Sequence, residues 1–435
     1  MRVRQARRFE RREVARDVLV LGGGGREHAL SWALARSPSV AQVASAPGNP
    51  GMAELGPTHT IDPTDPAAVT ELASRLGVDL VVVGPEAPLV AGVVDALEAR
   101  GIAAFGPVAG AARIEGAKAF ATEIMEAAGA PTGGAIATGD RDEAYAALER
   151  FGAPYVVKAD GLAAGKGVRI CAEVEEARAA VDDALVRGVF GSAGSRLVIE
   201  EFLAGPERSV FGVCDGTEVV LLEPAQDYKR ALDGDAGLNT GGMGAYTPVP
   251  GFTLAEVAAL EALVCRPGLQ ELADRGTPYR GLLYAGLVET AGGPKLLEFN
   301  ARFGDPETQA ILPRIDGDLG ELLWQAATGS VTGAAVSWWE QAAVTVVLAS
   351  DGYPGTYPTG VPIDGVEAAA ALPDVEVFHA GTRREEGRLV TAGGRVLAVT
   401  ALGASVAAAR ERAYDAAERI RFDGAHRRGD IAGGV

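Results

Sequence analysis

Residues 155–170, YVVKADGLAAGKGVRI, constrain the fold more than any other stretch. An apolar β-type run leads into a glycine-rich loop, and the loop leads into a second β-type run. Glycines let backbone N–H groups approach an anion closely, and the ammonium of Lys166 adds a point charge. A Walker A loop does not fit. Three residues, not four, separate Gly161 from the Gly165-Lys166 pair, and Gly167 stands where a metal-binding Ser or Thr belongs. The loop also runs into Val168-Arg169-Ile170, which reads as a strand rather than a helix. The pattern is a hairpin flap over phosphates; the plain alternative is a β-turn with incidental lysines.

Lysine usage favours the flap. Among 40 basic residues only Lys118, Lys158, Lys166, Lys229 and Lys295 are lysines. A chain that uses Arg for generic positive charge keeps lysine where a compact ammonium is needed. Two of the five flank this loop. The net charge of −18 argues against a nucleic-acid surface. Cys171, Cys214 and Cys265 form no CxxC pair, so a reducing, cytoplasmic compartment without disulfides or structural zinc is expected. His28, His59, His379 and His426 are too scattered to propose a metal cluster, and no apolar run approaches the ~18 residues of a membrane span. Residues 1–16 are arginine-rich with no apolar core for a signal peptide. They read as a disordered basic tail, or as the product of an upstream start codon with the true start near Val14.

A length of 435 residues predicts several domains. Residues 17–21 read as a buried strand, followed by the glycine turn at 22–25 and an apolar helical pattern. Strand, glycine turn and helix N-terminus together make an anion site. Further strands at 40–44 and 80–83, with helices at 68–76 and 90–100, give a Rossmann-like α/β domain over residues 17–117. The acid expected after the second strand of a dinucleotide fold is replaced by Ala46-Pro47-Gly48-Asn49-Pro50-Gly51, which favours a smaller phosphorylated ligand. Glu86 is placed to meet sugar hydroxyls or to cap a helix. One helical stretch, 109–129, carries Lys118.

Residues 118–195 read as a lid and 196–330 as a core. Residues 197–203 are a strand running into acids, able to offer backbone groups to a purine edge, with Glu207 near ribose hydroxyls. The polar, glycine-rich stretch 226–246 lacks apolar periodicity and reads as a functional connection. Its Asp227 and Lys229 suit a substrate of opposite charges. In residues 296–302, Glu298, Asn300 and Arg302 share one strand face. Oxygen ligands two apart suit Mg²⁺ bridging to phosphates, and an adjacent Arg suits a transferring phosphoryl group; the plain alternative is an amphipathic strand. Residues 331–435 read as a small α+β domain that covers the site.

Five segments in order, 22–30 (GGGGREHAL), 84–90 (GPEAPLV), 158–167 (KADGLAAGKG), 239–246 (NTGGMGAY) and 298–309 (EFNARFGDPETQ), closely resemble the phosphoribosylamine–glycine ligase family of the ATP-grasp superfamily. The resemblance covers residues 17 to 431. It implies a Rossmann-like N-terminal domain, an ATP-grasp central region with a flap, and the α+β C-terminal domain. The implied reaction joins glycine to 5-phospho-D-ribosylamine with ATP, through a glycyl phosphate, in purine synthesis. By this resemblance Lys118 and Lys158 hold ATP phosphates under the 161–167 flap, including Gly165, Lys166 and Gly167. Glu200, Phe202 and Leu203 line adenine, and Glu207 meets the ribose. Glu298 and Asn300 bind Mg²⁺ or Mn²⁺, and Arg302 steadies the phosphoryl group. Asp227 and Lys229 orient glycine; Gly24, Gly25, Asn49 and Glu86 hold phosphoribosylamine. A monomer is expected, in transient contact with the enzyme that supplies phosphoribosylamine. Tyr228, Leu238, Gly429 and the basic extension depart from the family pattern. The rivals are a biotin-carboxylase-like ATP-grasp enzyme and a non-catalytic nucleotide sensor.

Overall fold

A computed structural model describes residues 15–162, 167–334 and 336–435. Its N-terminal sheet is parallel, with strands in the order Val40–Pro47, Arg16–Gly22, Leu80–Val83, Ala103–Phe105. Both faces are covered. Leu19, Leu21, Val81 and Val83 pack into one core, while Val18, Val20, Leu80 and Val82 pack into another. Two-sided burial is why these strands read as continuous apolar runs rather than alternating ones. The expected helix at 90–100 is two short ones, Glu86–Val90 and Val93–Glu98, separated at Gly92 with φ of 84°.

The stretch 109–129 also divides, into Ala109–Gly116 and Lys118–Ala127. Ala117 is extended and forms an isolated bridge with Gly161. Gly116, a poor helix former, precedes this alanine, and the bridge to Gly161 fixes the break there. Its effect is to put Lys118 at the first turn of a helix facing the flap.

The flap belongs to an antiparallel sheet in the order Ala135–Thr138, Leu197–Glu200, Tyr155–Ala159, Val168–Cys171. Helices Arg141–Phe151 and Val174–Leu185 pack on it. Leu197–Glu200, assigned from sequence to the core segment, therefore pairs within the lid. The strand also ends at Glu200, three residues earlier than expected. A central antiparallel sheet runs Val219–Leu221, Glu207–Asp215, Arg280–Thr290, Gly293–Asn300.

The fourth sheet crosses the expected domain limit at 330. Its order is Gln226–Asp227, Gly244–Thr247, Ala342–Ala349, Arg395–Gly403, Val375–His379, with helix Val406–Ala417 packed on it. The connection 226–246 is thus not structureless: its ends are strands of the C-terminal sheet, and its middle is a hairpin, Arg230–Leu232 with Ala236–Asn239. Strands of two to four residues carry too few alternations to be visible in sequence. Among the described residues, no helix is long and apolar enough to cross a membrane, and the three cysteines are free and buried.

Candidate active site

The site lies where the lid sheet faces the last strand of the central sheet. That strand alternates as expected: Phe299 and Ala301 are buried, while Glu298, Asn300 and Arg302 face the cleft half-buried. Asn300 donates from Nδ2 to Glu298 Oε1 at 3.4 Å, and Lys229 Nζ stands 4.0 Å from Glu298. Burial alone would raise the Glu298 pKa. The ammoniums of Lys229, Lys118 and Lys158 outweigh burial and bring it down to about 2. Three of the chain's five lysines therefore act on one carboxylate.

Lys158 is buried in the lid strand with its Nζ 2.6 Å from Glu200 Oε2. Lys118 is held through its backbone, its N–H donating to Asp160 O at 2.9 Å. Asp160 Oδ1 accepts from Ala119 N at 2.7 Å, which ties the helix start to the flap base. Gly167 closes that base by accepting from Ala159 N at 2.8 Å. Gly165 and Lys166 lie outside the described residues. Glu200 and Leu203 line a narrow cleft with Thr122, Met125 and Leu296. Phe202 is not part of that wall; it is 37% exposed. The strand stops at Glu200, so the alternation that would bring residue 202 to the same face as 200 no longer applies.

Lys229 also pairs with Glu207. Sequence reasoning gave these two residues to different ligands, and the fold makes them neighbours. Asp227 is half-buried, and desolvation pushes its pKa up, offset in part by Lys229 and reinforced by Glu307 and Glu207.

Arg302 continues the strand face but turns toward the N-terminal domain. Its Nη2 is 2.9 Å from Glu115 Oε1, its Nε 3.6 Å from Glu86 Oε2, and its Nη1 donates to Phe303 O at 3.1 Å. Glu115 in turn accepts from Ala301 N at 2.7 Å. Arg302 thus borders both the carboxylate strand and the glycine-turn pocket, with its guanidinium engaged by acids rather than open to a phosphoryl group alone.

In that pocket, Gly24 N donates to Glu27 Oε2 at 2.7 Å. A carboxylate already occupies this amide, so an anion at the helix start has Gly25 and the following first-turn amides. A Cβ on Gly25 would come within 2.7 Å of Gln309 Nε2. Asn49 does not present its side chain to a ligand. Nδ2 donates to His379 O at 2.8 Å and Gly23 O at 3.0 Å, and Oδ1 accepts from Gly51 N and Met52 N at 3.0 Å. It braces the pocket walls, a role invisible without knowing that His379 packs there.

Sequence reasoning missed Glu115, Asp305, Glu307 and Arg395. Asp305 and Glu307 sit inside the 298–309 segment and were legible as site acids there. Arg395 had no signal. It reaches from the C-terminal sheet to Asp305 Oδ2 at 3.1 Å and to the carbonyls of Gly241, Gly242 and Asp305.

Among the described residues no group of three or more His, Cys, Asp or Glu could enclose a metal. Glu298 and Asn300 form a two-ligand oxygen set beside the Lys229 ammonium. That fits a divalent ion completing its shell with nucleotide oxygens and water.

A hairpin lid over a carboxylate-bearing antiparallel strand, with lysines between them, defines an ATP-grasp enzyme. Residues 16–115, 116–308 and 343–434 match, respectively, the N domain, ATP-grasp (A) domain and C domain of phosphoribosylglycinamide synthetase, and the chain belongs to that family. The phosphoribosylamine–glycine ligase of Streptomyces coelicolor is 54% identical over 418 residues, spanning 95% of this chain and 98% of that one. The same-named protein of Leifsonia xyli is 51% identical over 95% of this chain and 99% of its own length. The crystal structure of the Thermotoga maritima phosphoribosylamine–glycine ligase superposes with a TM-score of 0.82 at 34% identity, covering 95% of this chain and all of that one. The biotin carboxylase domain of Hydrogenobacter thermophilus 2-oxoglutarate carboxylase, at 17% identity and a TM-score of 0.73, shares the fold alone; the shares covered are 95% and 92%.

Proposed function

We infer that this chain joins glycine to 5-phospho-D-ribosylamine with ATP, giving N1-(5-phospho-D-ribosyl)glycinamide, ADP and phosphate, and we assign its residues as follows. A glycine carboxylate oxygen attacks the γ-phosphorus, the bond to the ADP oxygen breaks, and glycyl phosphate forms. The ribosylamine nitrogen then attacks the glycyl carbonyl; the C–N bond forms, phosphate leaves, and the nitrogen loses a proton. The protein's work is positioning and neutralising charge.

Lys118 and Lys158 hold the ATP phosphates, with the flap through Gly165, Lys166 and Gly167 above them. Glu200, Leu203 and the backbone around Phe202 meet adenine, and Glu207 meets the ribose. Glu298 and Asn300 hold Mg²⁺ or Mn²⁺, which when bound offsets phosphate charge. Lys229 takes the glycine carboxylate and Asp227 its ammonium. Arg302, between Glu298 and Glu86, steadies charge where the two half-reactions meet. Gly24, Gly25 and Glu86 receive phosphoribosylamine, with Asn49 as their brace. A monomer in a reducing compartment is consistent with three free, buried cysteines.

The observation that carries this reading is the pair Glu298 and Asn300, 3.4 Å apart and with Lys229 Nζ 4.0 Å from Glu298, on the strand faced by the lid that holds Lys158. It is tested by ADP release with phosphoribosylamine generated in place. Release should require both glycine and the amine. Turnover with bicarbonate in the absence of glycine would contradict the reading.

A further inference from the structure

The closing residues 426–432 take no part in the site described above, yet they hold a fully buried charge. Arg428 is 0% exposed. Its Nη1 donates to Arg230 O at 3.1 Å and Asp235 Oδ1 at 2.8 Å. Nε and Nη2 donate to the two oxygens of Asp430 at 2.7 and 2.6 Å. The guanidinium carbon lies 4.8 Å from the centre of the Tyr228 ring.

Bonds around it run the same way, from the tail to the 228–235 segment. Ala432 N donates to Tyr228 Oη at 2.9 Å, Gly429 N to Asp233 Oδ1 at 2.8 Å, and Asp430 Oδ2 accepts from Gly234 N at 2.8 Å. The tail is itself fixed to helix Val406–Ala417. Tyr414 Oη donates to Arg428 O at 2.8 Å, and Arg410 donates to the carbonyls of Gly429 and Ile431 at 2.7 and 2.9 Å.

Apolar side chains would fasten a tail as firmly. A buried guanidinium is costly unless every donor is matched, and its planar fork adds orientation rather than adhesion. What it orients is specific. Tyr228 and Arg230, the residues it grips, are the two neighbours of Lys229. The Lys229 carbonyl is held from the other side by Thr240 N and Oγ1 at 2.8 and 2.9 Å. With its backbone fixed at these points, Lys229 can extend only its side chain, toward Glu207 and Glu298.

We propose that Arg428 is a positioning residue, clamping the chain on both sides of Lys229 and so setting where its ammonium stands for glycine. The proposal rests on the assignment of glycine to Asp227 and Lys229 made above. It gives the C-terminal domain a share in substrate specificity from behind the site, through its closing tail rather than a side chain in contact with substrate.

The test is steady-state kinetics on the full chain for Arg428→Met, Arg428→Lys, Lys229→Met and the Arg428→Met/Lys229→Met pair. Asp235→Asn is added because Asp235 is exposed and its φ of 54° suits Asn, so it loosens the clamp without hollowing the interior. Arg428→Met and Asp235→Asn should raise the glycine KM about tenfold while the ATP KM moves less than about twofold. Arg428→Lys should recover part of the loss. In a Lys229→Met background, Arg428→Met should add nothing, since both act through one ammonium. A lower melting temperature with unchanged glycine KM, an equal rise in both KM values, or additive effects in the pair would overturn the proposal. If Lys229→Met itself leaves the glycine KM unchanged, the glycine assignment has failed and the proposal falls with it. A Lys229→Met shift without an Arg428→Met shift condemns the clamp alone.

Discussion

Glu298 sets the charge balance of the site. Its carboxylate stands 4.0 Å from Lys229 Nζ, in a cluster where Glu200 pairs with Lys158 and Glu207 with Lys229. Its pKa, lowered to about 2 by the neighbouring lysines, keeps it ionised near neutrality, so it contributes no acid limb to a pH–rate profile there. Glu298→Gln keeps the size but removes an anionic metal ligand and one of the carboxylates beside Lys229. Turnover should fall by about 100-fold or more, measured as ADP release, with a rise in the metal concentration needed for half-activity. A loss within about threefold would remove Glu298 from the metal site. At this scale the sequence was informative where chemistry is local. Period-two alternation placed Glu298, Asn300 and Arg302 on one face, and lysine scarcity singled out the residues that converge there. It was silent where partners are distant. Arg302 meets Glu86 and Glu115, and Asn49 meets His379, through contacts that no spacing encodes.

Elements were legible when long and apolar and illegible when tertiary pairing overrode propensity. The strands at 17–21, 40–44 and 80–83 stand where the patterns predict them. The short strands of 226–247 do not show in sequence, because each exists only through a partner strand, whereas the helix break at Ala117 follows Gly116 and is fixed by the bridge to Gly161. The loop at 239–246 shows how tightly such pieces fit. Gly242 has φ of 106°, and a Cβ there would lie 2.4 Å from Pro306 Cδ and 3.3 Å from Asp305 O. Gly242→Ala should therefore lift the loop off the 305–306 turn, costing about 2 kcal/mol or more in urea unfolding and reducing turnover more than tenfold, roughly. Wild-type stability and activity in this variant would mean that the loop is not seated on the turn.

Over the whole molecule, the C-terminal sheet is built partly from chain inside the core segment, between central strands Val219–Leu221 and Arg280–Thr290, and its edge strand Val375–His379 borders the glycine-turn pocket. His28 and His379 meet at that junction: His379 N donates to His28 Nδ1 at 2.8 Å. Burial first, then the neighbouring positive charges, hold their pKa values down to about 3 and about 4. Unfolded, both titrate near ~6.5. Between about pH 6.5 and pH 4 the unfolded chain binds protons that the folded chain refuses, so stability falls as pH falls across that window. From about pH 7 to pH 5 the loss should be about 2 kcal/mol for each histidine, read from urea unfolding, and His28→Asn should remove close to half of the slope. An unchanged slope in that variant would place the acid sensitivity elsewhere. The central claim is that a glycine carboxylate oxygen passes to phosphorus before the amide forms. Glycine carrying heavy oxygen in both carboxylate positions, turned over with ATP and phosphoribosylamine, should deliver one labelled oxygen per turnover to inorganic phosphate and keep the other in the amide. Phosphate free of label would contradict it.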